Sequence, residues 1–381
     1  MIEINKKSEC CGCHACNNVC PKECILMEID NEGFWYPKVD KSKCIDCNLC
    51  EKVCPIINTP KKVEDDILAY ACKNKNEEIR KNSSSGGVFT LLCEEVINNN
   101  GVVFGATFDE NLNVKHTYAE TLEECINFRG SKYVQSKIGD TYKEAKKFLD
   151  QERIVLFSGT PCQISGLDAY LMKKYDNLIL IDIACHGVPS PLIYKSYIKK
   201  LEEKKKSKIN EILFRDKSTG WKDYSISFKF DNGKKMRQFR IDNTYMSGYL
   251  KDIFLRPSCY TCKFKKPITS ADLTLADYWG IQNKHIEFDD DKGVSLILIN
   301  SEKGQHLLNK ITNKLNIIKT DLEYAIRCNP SIIKSSSYNE ERDEFFKNFS
   351  SKNIIKYIDK YSKLPIFLSL KIKFARTIKR K

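Results

Sequence analysis

Two runs of cysteine near the amino terminus have a spacing that can hold inorganic clusters. Each run reads C-x2-C-x2-C-x3-C-P, and the second begins 34 residues after the first. The eight cysteines are Cys10, Cys13, Cys16, Cys20, Cys44, Cys47, Cys50 and Cys54. This spacing binds two 4Fe–4S clusters, and the fourth cysteine of each run ligates the other cluster. The pattern therefore predicts a first thiol set of Cys10, Cys13, Cys16 and Cys54, and a second thiol set of Cys20, Cys44, Cys47 and Cys50.

Disulfides and zinc are the alternatives for so many cysteines. A disulfide framework suits small secreted domains, whereas this chain has 381 residues, and its first residues do not read as a signal peptide. Zinc sites usually combine two separated C-x2-C pairs rather than three cysteines in a row at that spacing. We therefore expect a reducing, cytoplasmic setting in which thiols serve as metal ligands, and a protein that moves electrons.

The formal charge of +13 is unevenly distributed. Residues 1–60 contain seven Lys/Arg and nine Asp/Glu, so they carry −2 and the remaining residues carry +15. An acidic module on a basic body can dock internally or attract an acidic redox partner. The basic residues are scattered and accompany no nucleic-acid motif, so nucleic acid is not an expected partner.

The carboxyl terminus combines an apolar stretch, 365–370, with six Lys/Arg among residues 371–381. Such a segment either stays solvated, as termini commonly do, or makes a weak contact with an anionic membrane surface. No apolar run reaches the ~18 residues that span a bilayer. We therefore expect no membrane-spanning segment.

Beyond the cysteine runs, strand-like and helix-like segments alternate. Residues 58–66 are polar and are predicted as a linker after a cluster module at 1–57. Strands are predicted at 102–108, 114–118, 153–157, 178–183, 209–214, 224–230, 236–240, 271–275 and 294–299. Helices are predicted at 88–98, 141–149, 191–204, 301–315 and 321–327, the third capped by Ser190. These segments indicate an α+β fold, in which a cluster module precedes a mixed α/β body without an evident βαβ series.

Four further cysteines lie in contexts that read as loops at strand ends. They form a candidate third thiol set of Cys162, Cys185, Cys259 and Cys262. Nearby glycine and proline let the backbone approach a bulky ligand, so a third cluster is one interpretation. Buried structural cysteines, a redox dithiol or half of a zinc site are the alternatives. The remaining cysteines follow no metal spacing and are interpreted as core or bystander thiols: Cys11, Cys24, Cys72, Cys93, Cys125 and Cys328.

A serine- and glycine-rich turn, 82–87, precedes a predicted helix. Small hydroxyl and glycine residues at a helix start expose N–H groups to a phosphate, although such a turn can also serve only as a helix cap. The segment 130–136 adds a cation, Lys132, with a hydroxyl and an amide nearby. No GxGxxG dinucleotide fingerprint is present in the sequence.

Six strings between residues 70 and 280 together resemble the coenzyme F420 hydrogenase/dehydrogenase beta-subunit family. They are Ser84-Ser85-Gly86-Gly87, Gly130-Ser131-Lys132-Tyr133, Gly159-Thr160-Pro161-Cys162-Gln163, Cys185-His186-Gly187-Val188-Pro189, Cys259-Tyr260-Thr261-Cys262 and Leu275-Ala276-Asp277-Tyr278-Trp279-Gly280. Their joint occurrence is far more specific than any one of them. The resemblance implies the two parts of the family's domain at 67–150 and 151–335, behind a ferredoxin-like module and before a basic tail at 336–381.

The resemblance also implies a flavin-binding body. FAD would be held by Ser83, Ser84, Ser85, Gly86, Gly87, Ser131, Lys132, Tyr133 and Gln135. The third thiol set would then bind a third 4Fe–4S cluster near the flavin.

The expected activity is that of an oxidoreductase, because a flavin exchanges single electrons on one side and a hydride on the other. Electrons would pass between a ferredoxin or another redox protein, the clusters, FAD and an organic substrate such as coenzyme F420 or a polysaccharide-pathway intermediate. The alternatives are an electron-transfer subunit of a larger hydrogenase or dehydrogenase complex and a scaffold with structural clusters. His186 and Asp277 are candidates for proton transfer, although either can simply hydrogen-bond the fold.

Overall fold

The computed structural model describes residues 1–59, 67–265 and 270–362. Most of the predicted linker at 58–66, and the apolar and basic stretches at 365–381, lie outside these residues. Within the described part of the chain, no helix is both long and apolar enough to cross a membrane.

The N-terminal module, residues 1–59, contains two short helices and a β-hairpin. Its elements are α1 (Ala15–Val19), β1 (Ile25–Ile29), β2 (Trp35–Val39) and α2 (Leu49–Lys52). The two strands pair antiparallel along their whole length. Each helix begins after a residue with left-handed backbone, His14 (φ 64°) before α1 and Asn48 (φ 56°) before α2. Both residues directly follow the second cysteine of their run, so the two cysteine loops use the same backbone turn.

Strands and helices alternate through the rest of the described chain. The strands are β3 (Leu68–Asn74), β4 (Val102–Phe108), β5 (Val114–Ala119), β6 (Val155–Gly159), β7 (Leu178–Ile183), β8 (Ile209–Asp216), β9 (Ser225–Phe230), β10 (Lys235–Phe239), β11 (Leu273–Asp277), β12 (Ser295–Ile299) and β13 (Leu315–Thr320). The helices are α3 (Glu77–Lys81), α4 (Val88–Asn98), α5 (Leu122–Cys125), α6 (Thr141–Asp150), α7 (Pro161–Leu171), α8 (Pro191–Lys205), α9 (Thr244–Leu250), α10 (Ile281–Lys284), α11 (Glu302–Ile311), α12 (Leu322–Cys328), α13 (Arg342–Lys347) and α14 (Ile354–Ser362). The predicted fold class, a ferredoxin-like module followed by a mixed α/β body, is confirmed.

The largest sheet has a parallel centre. Its order within the described residues is β13-β3-β12-β11-β7-β6-β4-β5, and β4, β6, β7 and β11 all run in the same direction. Helix α6 precedes β6 and helix α7 connects β6 to β7, so the body contains βαβ units that were not evident in the sequence. Strand β5 forms a hairpin with β4 before α6 begins, and this insertion masks the alternation in the sequence. Ligands of open α/β sheets bind at the carboxyl ends of such strands.

Alternate residues of the parallel strands face opposite layers. Phe104, Phe157 and Leu180 pack on the side of α6, α7 and the N-terminal module, whereas Val103 and Leu156 pack on the side of α4 and α11. Apolar residues of the module belong to the same buried core as the first group: Ile2, Ala15, Ile25, Val53 and Ile56. The module and the body therefore share one hydrophobic core.

A second core lies around the small antiparallel sheet of β8, β9 and β10. Helices α8, α9, α13 and α14 surround it. The last two helices belong to the segment predicted as a basic tail, so that prediction is wrong for residues 342–362. Phe345, Ile354 and Ile358 are fully buried. The helical spacing of Ile354, Ile358 and Tyr361 gives α14 one apolar face, which packs against α8 and α9.

Two predicted boundaries also differ from the structure. The helix predicted at 301–315 ends at Ile311, because Leu315 begins β13, which pairs with β3. Cys162 was predicted in a loop but lies in the first turn of α7. Thr160 and Gln163 form a capping box there, and Pro161 occupies the first helical position.

Ser190, the predicted cap of α8, joins the module to the body through one buried hydroxyl. Its Oγ donates to the carbonyl oxygen of Glu32 (2.5 Å) and accepts from the N–H of Ile193 (3.3 Å). Ser190→Ala leaves both groups without a partner, so we expect the free energy of unfolding to fall by about 2 kcal/mol. Urea denaturation of the anaerobic protein, followed by circular dichroism, measures this loss. Thr121→Ala, which removes an exposed helix cap, should cost about 1 kcal/mol or less, and equal losses would contradict the bridging role.

Candidate functional site

The first thiol set gathers on the buried side of the N-terminal module. Cys13, Cys16 and Cys54 are buried, and Cys10 is half-buried. The charged groups that act most strongly on Cys16 are Cys10 and Cys54. The structure thus brings three cysteines of the first run together with the last cysteine of the second.

The second thiol set lines a small cavity of about 20 Å³ in the same module. Cys50 is buried, Cys20 and Cys44 are half-buried, and Cys47 is exposed. Cys24, predicted as a bystander thiol, also lines this cavity, and its Sγ lies 3.3 Å from the Sγ of Cys20. The second set is therefore the one that reaches solvent.

The third thiol set comes from three parts of the body. Cys162 lies in α7, Cys185 follows β7, and Cys259 and Cys262 follow α9. All four line one cavity of about 30 Å³. The other three cysteines of the set are among the charged groups that act on Cys259. The set assembles where β6 and β7 end, which is the carboxyl edge of the parallel strands.

Backbone N–H groups donate to sulfurs in all three sets. The donor lies two residues beyond the cysteine in each of these pairs: Ala15 with Cys13, Lys22 with Cys20, Ile56 with Cys54, Gly187 with Cys185 and Phe264 with Cys262. Such bonds favour the thiolate, which is the form that binds metal. Burial acts in the opposite direction and raises the pKa of Cys185 to about 12. A bound iron core would supply the positive charge that deprotonates these thiols.

The donor chemistry of the sets suits iron–sulfur clusters. All eighteen cysteines are free thiols. Within the described residues, no three Cys, His, Asp or Glu side chains converge closely enough to hold a single metal ion. Four thiols in each set, which in the second and third sets line a small cavity, are the ligands that a cuboidal iron–sulfur core takes.

Cys11 connects the first set to the third. Its thiol lies beside Cys13 of the first set and Cys162 of the third, the two side chains that act most strongly on it, and it lines the third-set cavity. Gly166 on α7 allows this approach, because a Cβ there would lie 2.8 Å from the Cβ of Cys13 and 3.0 Å from its Sγ. Cys11 was predicted as a bystander because it follows no metal spacing.

A larger cavity of about 310 Å³ opens beside the third set. The turn at 83–87, the segment 128–136 and the carboxyl ends of β6, β7 and β11 surround this large cavity. Cys185, His186, Gly187 and Val188 line both the large cavity and the third-set cavity. One segment of chain thus forms a wall common to the two.

The predicted serine–glycine turn forms part of the large cavity. Ser83, Ser84, Ser85 and Gly87 line it, together with the first turn of α4. Gly87 (φ 82°) is the residue from which α4 starts. The Oγ of Ser84 accepts from the N–H and the hydroxyl of Ser131, at 2.7 and 3.0 Å. This arrangement gathers hydroxyl groups at the amino end of an eleven-residue helix.

Gly86 faces the sheet and not the large cavity. Its N–H donates to the Oγ of Ser295 (2.9 Å). A Cβ at this position would lie 2.3 Å from the carbonyl oxygen of Cys72. The predicted cofactor contact of Gly86 is therefore corrected, because the residue is a close-packing glycine against β3 and β12.

Lys132 lines the large cavity, and its ammonium is held by its own loop. The Nζ donates to the carbonyl oxygens of Asn127, Arg129 and Gly130, at 3.0, 3.0 and 3.2 Å. Burial lowers the pKa of Lys132 to about 7. An anion in the cavity would stabilise the protonated form and raise this pKa.

Tyr133 and Gln135 separate in the structure although the sequence places them in one string. Tyr133 lines the large cavity, and its hydroxyl accepts from Arg215 (3.3 Å). Gln135 instead donates to the carbonyl oxygen of Cys11 (3.2 Å) and accepts from Arg256 (3.2 Å). The predicted cofactor role of Gln135 is corrected, since the residue ties the body to the cysteine loop.

Asp277 lines the large cavity as one half of a buried ion pair. Its Oδ2 accepts from Nη1 of Arg215 (2.8 Å), and its Oδ1 accepts from Nη2 of Arg215 (3.3 Å) and Nε1 of Trp221 (3.0 Å). The Arg215 guanidinium also stacks on the ring of Tyr224, at 4.0 Å. Both carboxylate oxygens are engaged, so Asp277 positions these side chains, and its proton-transfer role stays a prediction.

His186 stands at the wall common to the two cavities. Its Nε2 lies 2.5 Å from Oδ1 of Asp252, and its ring meets that of Tyr249 edge-on at 5.4 Å. The structure therefore gives this predicted proton-transfer residue a carboxylate partner. Asp252 is 66 residues away in sequence, which is why the sequence did not reveal it.

His116 is a cavity residue that the sequence did not single out. Its Nε2 lies 3.0 Å from the carbonyl oxygen of Ser158, and its ring stacks on Phe157 at 5.6 Å. Burial lowers the pKa of His116 to about 4, so the ring is neutral at neutral pH. Its Nδ1 is buried and has no hydrogen-bond partner among the described residues. A buried polar atom without a partner, in a cavity wall, suits a bound ligand.

Family models match most of the body and part of the module. The model for the C terminus of the coenzyme F420 hydrogenase/dehydrogenase beta subunit matches residues 152–323, and the N-terminal model of the same subunit matches 69–141. This chain belongs to that family. A 4Fe–4S binding-domain model also matches residues 37–56, which contain the second cysteine run. The predicted family of this chain is confirmed, and so is iron–sulfur binding in its N-terminal module.

Among solved structures, this chain is similar to a chain of the F420-reducing NiFe hydrogenase complex from Methanosarcina barkeri. The two chains are 16% identical, the TM-score is 0.46, and the match covers 79% of this chain and 94% of that chain. The search of curated proteins gave no match.

The strings that carry the family resemblance meet around the two cavities. Residues 159–160 at the end of β6, 185–189 after β7 and 275–277 at the end of β11 all line the large cavity. The string at 259–262 supplies two cysteines to the third set. The sequence strings shared with the family therefore lie at the carboxyl edge of the parallel strands.

The third thiol set can be tested by removing one member. Cys262→Ala should lose about four of about twelve irons, because a 4Fe–4S cluster needs all four thiolates. Iron analysis of the anaerobically purified protein measures the loss. Cys328→Ala removes a thiol outside the three sets and should leave the iron content unchanged. Full iron content in Cys262→Ala would contradict the assignment of the third set.

Proposed function

We propose that this chain is an iron–sulfur flavoprotein oxidoreductase that moves electrons between a redox-protein partner and an organic substrate. The observation that supports this function most directly is the common wall, residues 185–188, which lines both the third-set cavity and the large cavity. An inorganic group held by the third set and an organic group in the large cavity would be neighbours across one segment of backbone.

The three thiol sets form a series from solvent to the large cavity. The second set reaches solvent at Cys47 and adjoins the first set, since Cys50 acts on Cys16. The first set adjoins the third through Cys11, and the third set reaches the large cavity at Cys185. This series supports electron transfer across the protein, because 4Fe–4S clusters bound there would each accept and release single electrons. A ferredoxin or another redox protein would dock where Cys47 is exposed.

The large cavity supports the assignment of FAD as the organic cofactor. When bound, a flavin exchanges single electrons on one side and a hydride on the other. Ser84, in the turn that precedes α4, offers its hydroxyl to phosphate groups, whereas the hydroxyls of Ser83 and Ser85 already donate to the carbonyl oxygens of Ile79 and Val294. Lys132 offers a cation, and the unpaired Nδ1 of His116 offers a polar contact. The apolar lining, which includes Val88, Phe128, Val134 and Leu275, would exclude water.

His186 is the proposed proton-transfer residue at the common wall. Asp252 holds the Nε2 side of its ring, and Tyr249 packs against it. These contacts fix the orientation of the imidazole without enclosing it, since 38% of the His186 side chain is exposed. The organic substrate would be reached from this open side, and coenzyme F420 or a polysaccharide-pathway intermediate are the proposed candidates.

A second candidate function is that of an electron-transfer subunit without a substrate of its own. The description of the family as a hydrogenase/dehydrogenase beta subunit favours it. The exposed second set favours it too, because a partner subunit could cover Cys47 and exchange electrons there.

Anaerobic purification tests the proposed function. We expect about one FAD per chain and ten to twelve irons, as three 4Fe–4S clusters with partial loss would give. Turnover of coenzyme F420 by the isolated chain would favour the enzyme, whereas flavin reduction without turnover of any small-molecule acceptor would favour the subunit. Iron without flavin would contradict both.

Lys132 makes a prediction about pH. Burial lowers its pKa to about 7, and a bound phosphate would raise that pKa. Protonation therefore accompanies binding, and the affinity for FAD should be greatest below pH 7 and fall by up to about tenfold for each pH unit above it. Fluorescence titration of the flavin-depleted protein from pH 6 to 9 measures this dependence.

Lys132→Arg is the matched control for that titration. The guanidinium stays charged over the whole range, so its FAD affinity should not depend on pH in this way. An equal slope in the wild type and the arginine variant would show that Lys132 does not hold the phosphate.

A further inference from the structure

A single arginine is fully buried where the N-terminal module meets the body. Arg256 is 0% exposed and lies three residues before Cys259. Its Nε donates to the carbonyl oxygen of Cys10 (2.8 Å), its Nη2 to the carbonyl oxygen of Trp35 (2.9 Å) and its Nη1 to Oε1 of Gln135 (3.2 Å). All three acceptors are neutral oxygens.

No carboxylate neutralises this cation among the described residues. Its guanidinium stacks on Tyr36 at 4.3 Å and lies 5.4 Å from the ring of Phe34. The other buried arginines in the described chain each form an ion pair: Arg80 with Asp290, Arg215 with Asp277 and Arg342 with Glu32. Burying a charge is costly unless an opposite charge or strong hydrogen bonds compensate it. Arg256 is therefore a buried cation whose compensating charge must come from elsewhere.

The charge-bearing groups that face Arg256 are mostly sulfur. They are Cys10 of the first set, Cys259 of the third set and Cys11, which belongs to neither set, with the Tyr36 phenol in addition. Gly12 lets the cysteine loop close over the guanidinium, because a Cβ there would lie 2.9 Å from Nη1 of Arg256. The cation thus lies between two of the three thiol sets, and no cysteine of the second set is among its strongest charged neighbours.

We propose that Arg256 is the counter-charge for iron–sulfur clusters in the first and third sets and raises their reduction potentials, that of the first set most. This inference rests on the proposed function. A reduced cluster carries one more negative charge than the oxidised form, and a fixed cation stabilises the more negative state. Net charge and hydrogen bonding are among the factors that set such potentials, and their effect is largest where water is excluded.

Arg256→Gln tests the inference, because glutamine keeps a hydrogen-bonding amide and removes the charge. Redox titration of the full anaerobic protein, followed by electron paramagnetic resonance, should show at least one cluster that is tenfold harder to reduce, or about 59 mV lower for a one-electron couple. One cluster, that of the second set, should keep its potential. Arg256→Lys retains the charge and should remain close to the wild type.

The matched control is the double variant Arg342→Gln with Glu32→Gln. It removes a buried guanidinium at the same boundary between module and body, together with the carboxylate that already neutralises it. Its stability should fall, but its cluster potentials should not move. A shift equal to that of Arg256→Gln would mean that the boundary, and not the Arg256 charge, sets the potentials.

Iron content keeps the outcomes distinct. If Arg256→Gln holds all its iron with unchanged potentials, the inference is overturned. If it loses about four irons and Arg256→Lys retains them, the need for a counter-charge is supported; loss in both variants would overturn it. A wild-type protein without iron or flavin would instead refute the proposed function.

Discussion

One close contact, between the first cysteine loop and helix α7, joins the N-terminal module to the body of the chain. Gly166 leaves room for Cys13 against the helix, while the helix start carries Cys162, which meets the thiol of Cys11. A Cβ at position 166 would lie only 2.8 Å from the Cβ of Cys13, so the cysteine loop or the helix would have to shift. The continuous hydrophobic core beneath this contact, together with Ser190, Gln135 and Arg256, which all reach across the same boundary, keeps the two parts in register.

The large sheet positions the third thiol set and the large cavity, which lie beyond the contact between the cysteine loop and α7. Its parallel strands end at one edge, and the loops that follow β6 and β7 supply both cysteines and the wall of the large cavity. Polar groups that approach this edge are nearly all engaged: Asp277 by Arg215 and Trp221, and His186 by Asp252. The unpaired Nδ1 of His116 is the exception within the described cavity lining. The edge is thus organised by these hydrogen bonds around a cavity of about 310 Å³.

The sequence revealed those parts of the site that depend on local spacing. The cysteine runs, the cap at Ser190 and the turn that lines the large cavity are all encoded within a few residues, so their patterns are legible. Gln135 was misinterpreted, and the ion pair of Asp277 was not foreseen, because their partners, Arg256 and Arg215, are distant in sequence and only the fold brings them close. Cys11 was missed for the same reason. The βαβ units were missed because strand β5 interrupts the alternation and helix α7 was not predicted, although the parallel strands β4, β6, β7 and β11 were each predicted within a few residues.

The order of the strands also governs how the molecule is made. The first two thiol sets are complete once residue 54 has left the ribosome, but the third set spans residues 162 to 262, and β3 finds its neighbours β12 and β13 only after residue 320. Chains emerge amino terminus first, and long-range strand pairing is slow. The cysteines of the leading loops can therefore come together during translation, whereas the third thiol set and the large cavity form only when synthesis is nearly finished.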